Sequence, residues 1–239
     1  MRRAKLERFR GMGLSAVFAL CARSTERTLP KIVGNLERLS EVYDQSAFIL
    51  VEGDSTDDSK AFLKTWAAGR PRATVIDTDG FDARFPLRSD RLAACRNAYM
   101  DHIRSSELAG YDHLILLDAD KVNHGRIDLA QFVRGRTWLI ENDAAAVFAN
   151  SQPVYYDIWA LRHPRWCPED IFAEIAREKA RIGKSAAEQF YSYERKIPIA
   201  ETAEPIDVQS AFGGLAIYRL SDALAARYVG LTDEGQEVC

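Results

Sequence analysis

Apolar residues along the chain fall in short continuous runs, separated by stretches where they recur every three to four positions. The first run, VFALCA (17–22), is followed by Leu29, Ile32, Val33, Leu36, Leu39 and Tyr43 at helical spacing with Pro30 early, which predicts a strand and then a helix. SAFILVE (46–52) predicts a second strand. Ser55 is placed to cap a helix over TDDSKAFLKTWAA (56–68), with Asp57 and Asp58 at its positive end and Gly69 and Pro71 stopping it before the strand RATVID. Leu92, Cys95, Tyr99 and Ile103 then stripe a long helix, and DHLILLD, IDLAQFVRG and AAAVFA read as strand, helix and strand. Strands that are continuously apolar rather than alternating are buried on both faces. The pattern therefore predicts an α/β fold with a mostly parallel central sheet flanked by helices on both faces.

From Asn150 onward the texture changes to aromatic and proline-bearing segments (PVYYDIWALRHPRWCPED), a basic helix near EIAREKARIGK and a late strand, GLAIYR. No internal repeat or low-complexity linker interrupts the chain. The second part is expected to be grafted onto the same sheet, giving one domain over 1–239 with halves at about 14–150 and 151–239.

Composition removes several classes. With 239 residues, 47% hydrophobic and 28% charged, the chain has an ordinary globular make-up and a core large enough to need no disulfide staples. Its net charge of -3 gives no electrostatic reason to bind nucleic acid. Cys21, Cys95, Cys167 and Cys239 are widely spaced and match no short metal motif, which fits a reduced, cytoplasmic setting. Basic MRRAKLERFR before GLSAVFALCA has the charge order of a secretory signal, but Glu7 interrupts it and the apolar run leads straight into an amphipathic helix, so a first strand is expected instead. No run of about 20 apolar residues predicts a membrane span. Peripheral association with the inner face of the membrane is the furthest membrane contact expected.

In open α/β sheets ligands sit beyond the carboxyl ends of the strands, so acids at strand exits are the first candidates for chemistry. Glu52 and Asp54 leave the second strand in VEGDSTDDS, and Asp118 and Asp120 leave the fourth in LILLDADKVN. Two carboxylates one residue apart at a strand end can offer oxygens to one hard cation, and Mg²⁺ or Mn²⁺ takes one or two carboxylates plus phosphate oxygens. The structural alternative for such acids is a solvated turn or a helix cap. His102, His113, His124 and His163 show no ligand spacing to one another, and none is assigned to metal.

Six segments in order, CARSTERTLPKIVGNLERL, FILVEGDSTDDS, RLAACRNAYMDHI, YDHLILLDAD, YYDIWALRHP and SAFGGLAIYR, resemble glycosyltransferases of the GT-A fold. They are most similar to the cryptococcal capsule-associated mannosyltransferase family and its bacterial relatives. The resemblance implies a nucleotide-binding half at about 14–150 and an acceptor-side half at about 151–239. It implies nucleoside contact at Glu52 or Asp54, and a D-x-D metal pair at Asp118 and Asp120, with Asp120 bridging Mn²⁺ or Mg²⁺ to the diphosphate of a GDP- or UDP-hexose. Arg91, Arg96 and Asn97 match the family's R-x-x-x-x-R-N helix, where guanidinium groups grip phosphate or orient the D-x-D loop. Tyr156, Asp157 and Trp159 match its tyrosine-aspartate-x-tryptophan segment, suited to a sugar, with Asp157 the catalytic candidate beside Asp120. Gln209, Gly213 and Gly214 match the segment before the late strand, where glycines permit close backbone approach to a ligand. The implied activity is transfer of a hexose, mannose in the family, to a glycan or lipid-linked acceptor with retention; an inverting enzyme needs a base such as Asp157, Asp170 or Asp207. A late histidine, common as a further metal ligand in these enzymes, does not follow His163, and the chain halts at DEGQEVC. A truncated version of a longer protein is the expectation.

Competing readings exist. LILLDADKV also fits the nucleophile motif of haloacid-dehalogenase-like phosphatases, with Asp118 attacking phosphorus and Asp120 as acid/base. That family puts its acidic motif late, whereas GDSTDD precedes the D-x-D here. A sugar-nucleotide pyrophosphorylase would need a Gly-rich, basic first loop, and none follows VFALCA. A catalytically inactive binding module has no need of both D-x-D carboxylates with Arg96 and Asn97.

Overall fold

The computed structural model describes residues 13–239; the basic stretch at the N-terminus that invited comparison with a signal lies outside them. Six strands form one sheet: β1 (Ser15–Ala22), β2 (Gln45–Glu52), β3 (Ala73–Asp77), β4 (His113–Leu117), β5 (Ala146–Phe148) and β6 (Leu215–Arg219). Their order is β3-β2-β1-β4-β6-β5. β1, β2, β3 and β4 are mutually parallel, and β6 runs antiparallel between β4 and β5. The helices are α1 (Leu29–Ser40), α2 (Ser59–Ala68), α3 (Phe81–Arg84), α4 (Arg88–Arg104), α5 (Leu129–Glu141), α6 (Ile171–Ile182), α7 (Lys184–Glu188) and α8 (Leu220–Leu224). None of them is long and apolar enough to cross a membrane.

The apolar runs of β1, β2 and β4 are buried on both sides, whereas β3 and β5, at the two ends of the sheet, are half-buried. On β1, Ala16, Phe18, Leu20 and Ala22 face a core shared with α1, α2 and α5, including Ile32, Leu36, Leu63 and Phe132. Val17 and Ala19 face the opposite core, built with Tyr99, Met100 and Ile103 of α4 and Leu220 of α8. A third cluster, Tyr155, Ile158, Leu161, Cys167, Ile171 and Ile175, collects the irregular segment after Asn150. That segment rejoins the sheet through β6, so the late strand predicted at GLAIYR pairs with both β4 and β5. All four cysteines are unpaired.

The predicted cap of α2 is corrected. The helix starts at Ser59 with Asp58 at its N-cap position, three residues later than the spacing suggested. Ser55 Oγ instead accepts the Ser24 N–H at 2.9 Å, and Asp57 accepts from the N–H groups of Glu26 (3.1 Å) and Ser59 (3.0 Å). A contact between two strand-exit loops has outcompeted a local cap.

His113 opens β4 only 3% exposed, its ring edge-on to Tyr43 at 5.7 Å and its Nδ1 without a hydrogen-bond partner. Burial, opposed by the Asp112 carboxylate and assisted by Arg136, pushes its pKa down from 6.5 to about 4. A folded pKa below the unfolded one gives stability that is complete above pH 6.5 and is lost as pH falls toward 4, because the unfolded chain takes up the proton first. The loss attributable to this ring is about 3 kcal/mol. His113→Phe keeps the buried ring and removes the titration. Urea unfolding at pH 7 and pH 4 should show the variant gaining on the wild type by about that amount; parallel pH curves would exonerate His113.

Candidate active site

Because β1, β2 and β4 are parallel and β6 is antiparallel, one sheet edge gathers the ends of β1, β2 and β4 with the start of β6. Glu52, Asp118 and the pair Gly213–Gly214 therefore meet from distant parts of the sequence. The Asp118 N–H donates to the Gly214 carbonyl at 2.9 Å, tying the D-x-D segment to the entry of β6. Asn123 Nδ2 donates to the carbonyls of Asp118 (3.0 Å) and Gly214 (2.6 Å). Asn35 of α1 in turn donates through Nδ2 to the carbonyls of Asn123 (2.9 Å) and Gly125 (2.8 Å). Sequence reasoning missed both asparagines. The signal was present in Asn35, a polar residue three positions after Ile32 on the apolar stripe of α1.

The two members of the D-x-D differ. Asp118 is half-buried, and burial pushes its carboxyl up to about 7, with Arg96 opposing and the Asp120 and Asp157 carboxylates adding to the rise. Asp120 is exposed and its Oδ1 accepts the Val122 N–H at 2.9 Å, capping a short 3-10 turn at Lys121–Asn123. Asp157 is also half-buried; burial raises its carboxyl above the usual range against the N–H groups of Gly213 and Ala160. The Gly213 N–H reaches Asp157 Oδ2 at 3.3 Å. Burial, with Asp118, Asp157 and Asp120 adding to it, pushes the Tyr156 phenol upward too, so all four groups lie in one electrostatic neighbourhood.

Among the described residues no three His, Cys, Asp or Glu side chains converge to hold an ion unaided. Two carboxylates with phosphate oxygens completing the shell are still a donor set that Mg²⁺ and Mn²⁺ accept. Asp118 and Asp120 are the residues that would hold the ion, since a cation would offset the burial and the neighbouring carboxylates that disfavour the charged form of Asp118.

The other predicted residues separate into those that face this edge and those that build it. Glu52 ends β2 at 1% exposure with neither carboxylate oxygen hydrogen-bonded, its nearest cation Lys60 Nζ at 3.7 Å. Asp54 adopts a left-handed φ of 55°, and its oxygens accept the N–H groups of Gly80 and Asp82, both at 2.8 Å. Those hydrogen bonds hold its carboxyl below the ordinary range and tie the loop after β2 to the one after β3. Gly53 is required by close approach: a Cβ there would lie 2.5 Å from the Thr78 carbonyl carbon. Arg91 is committed to Asp82 (Nε to Oδ1, 3.0 Å) and the Phe85 carbonyl (2.9 Å). Asn97 clasps the Tyr228 backbone, donating to its carbonyl at 2.9 Å and accepting its N–H at 3.1 Å. Arg96 sits over the Tyr228 ring.

On the other half, Trp159 packs against Phe172 at 4.8 Å, the Gln209 N–H donates to the Arg162 carbonyl, and Asp170 caps α6 while paired with Arg162. Asp207 is exposed. Of the three candidate bases, Asp157 is the one held beside Asp118 and Gly213. His163 is occupied locally, its Nδ1 accepting the N–H groups of Arg165 (3.2 Å) and Trp166 (3.3 Å).

No family model matches the chain, and no curated protein matches it. Among solved structures it is similar to Staphylococcus aureus TarS 1-349, at 9% identity and a TM-score of 0.41 over 80% of this chain and 59% of that one. It is also similar to Mycobacterium tuberculosis glucosyl-3-phosphoglycerate synthase, at 14% identity and a TM-score of 0.37 over 91% of this chain and 61% of that one. The same synthase in complex with Mn²⁺, uridine-diphosphate and phosphoglyceric acid gives 15% identity and a TM-score of 0.36 over 91% of this chain. The chain spans 59% to 61% of the length of these structures.

Proposed function

We propose that the chain is a metal-dependent glycosyltransferase that moves a hexose, mannose by its sequence resemblance, from a GDP- or UDP-hexose to a glycan or lipid-linked acceptor. The observation that carries this reading is the meeting of Asp118, Asp120, Asp157 and the cation Arg96 at the carboxyl edge of the parallel strands. Bound at Asp118 and Asp120, Mn²⁺ or Mg²⁺ would supply positive charge where the leaving diphosphate becomes more negative. Arg96 adds a protein cation to the same place. Glu52, at the end of β2 with no hydrogen bond to its carboxylate and Lys60 Nζ 3.7 Å away, is the candidate acceptor for a nucleoside N–H or hydroxyl. Asp157, next to the backbone of Gly213, orients the acceptor hydroxyl. With retention, the bond from the anomeric carbon to the diphosphate breaks, the acceptor oxygen bonds on the same face, and its proton passes to the departing diphosphate.

A thermal-shift series with GDP-, UDP- and CMP-sugars, each with and without Mn²⁺, tests the reading directly. One nucleotide class should raise the melting temperature only with the metal present, by the equivalent of about 2.7 kcal/mol when ligand is a hundredfold above its dissociation constant. The same donor should release nucleoside diphosphate slowly by hydrolysis. No metal-dependent shift and no release with any donor would sink the proposal.

A further inference from the structure

Arg96 is half-buried on α4, and among the described residues no hydrogen bond or ion pair holds its guanidinium, whose carbon lies 5.3 Å above the centre of the Tyr228 ring. Arg91, five positions earlier on the same helix, is tied by Asp82 and Phe85. The difference lies in what each meets. A carboxylate partner holds an arginine and neutralises it. An aromatic face holds the plane of a guanidinium while leaving its charge and its edge N–H groups for another ligand.

The ring under Arg96 is itself fixed. Asn97 exchanges two hydrogen bonds with the Tyr228 backbone, and the Tyr99 hydroxyl donates to the Tyr228 hydroxyl at 3.1 Å. The Tyr99 and Tyr228 rings also meet edge to face at 6.2 Å. Three residues of α4 thus form a clamp around Tyr228, a position 131 residues away from Asn97 in sequence. Close by, Gly230 passes so near α4 that a Cβ there would lie 2.5 Å from the Asp90 backbone nitrogen, so this segment lies tight against the helix.

We infer that Tyr228 is a positioning residue, a platform that holds Arg96 charged and open-handed toward a diphosphate bound beside Asp118. The diphosphate's place beside Asp118 and its being part of a nucleotide-sugar rest on the proposed function; the seating of Arg96 over the Tyr228 ring does not. Asn97 serves the pocket by anchoring the platform and makes no ligand contact of its own.

The test is calorimetric titration of the full chain with inorganic pyrophosphate in Mg²⁺. Arg96→Gln should weaken binding by about tenfold or more, the loss of a charge-assisted contact. Tyr228→Leu should match it, Tyr228→Phe should stay within about twofold of wild type because the ring face is retained, and the double variant Arg96→Gln with Tyr228→Leu should be no weaker than either single one. Arg96→Lys should lose most of the affinity despite keeping the charge, which gives a second route should Tyr228→Leu fail to fold. A folded Tyr228→Leu with wild-type affinity, additive losses in the double variant, an Arg96→Lys that binds as wild type, or a wild type that binds no pyrophosphate would each overturn the inference. Pyrophosphate binding as described, together with indifference to every nucleotide-sugar, would leave the platform standing and remove the donor reading instead.

Discussion

Asp120→Asn should lower turnover of the nucleotide-sugar donor by about a hundredfold or more, the scale at which loss of preorganised charge at a leaving group is felt. Fold stability should barely respond. Asn retains the side-chain oxygen that accepts the Val122 N–H at 2.9 Å, and the residue is exposed, so the short turn after the D-x-D persists while one negative charge disappears. The melting temperature is expected within about 2 °C of wild type. Asp118→Asn should show the same catalytic loss with a different stability signature. Its carboxyl is half-buried beside Asp120 and Asp157, which disfavours its charged form, so the neutral amide should raise the melting temperature of the metal-free protein at pH 8. Undiminished donor turnover by either folded variant would sink the metal assignment, and a phospho-aspartate trapped at Asp118 would favour the phosphatase reading.

The framework of the sheet was legible because its inner strands β1, β2 and β4 are buried on both faces, and a residue run such as FILVE has few other uses. Register and neighbours were less so. β6 is antiparallel and lies between β4 and β5, an arrangement that nothing in GLAIYR announces, since an apolar strand reads the same in either direction. The position of Asp118 was legible, because an acid directly after an apolar strand is delivered to the sheet's carboxyl edge, whereas the partner that arrives from far away was not. Arg91 and Arg96 occupy one helix and one motif, yet Asp82 captures the first and Tyr228 supports the second. Asp54, read from its place after β2 as a ligand contact, also accepts the backbone N–H groups of Gly80 and Asp82, partners that its sequence neighbours do not announce. Asn97 carries the same lesson. An amide on a helix says only that four hydrogen bonds are on offer, and the recipient is set by the fold.

Gly213→Ala should destabilise the protein by about 3–5 kcal/mol, enough to threaten folding, because it combines backbone strain with a steric collision. Gly213 has a φ of +69°, a region that L side chains rarely adopt. A Cβ there would overlap the Ala149 carbonyl oxygen and sit 3.2 Å from Tyr155 Cε2. Neither neighbour is free to yield: the Ala149 N–H donates to the Leu215 carbonyl at 2.9 Å, and the Tyr155 hydroxyl accepts the Phe212 N–H at 3.0 Å. The damage should also travel to the site, since the Gly213 N–H reaches Asp157 and the next carbonyl, that of Gly214, receives the Asp118 N–H. Gly34 supplies the contrast. It lies within α1 with open space where a Cβ would go, so Gly34→Ala should stabilise by about 0.5–1 kcal/mol through helix propensity alone. Urea denaturation of both variants decides the matter. A Gly213→Ala protein within about 1 kcal/mol of wild type would mean that the β6 entry yields readily, and its tight coupling to the D-x-D would have to be abandoned.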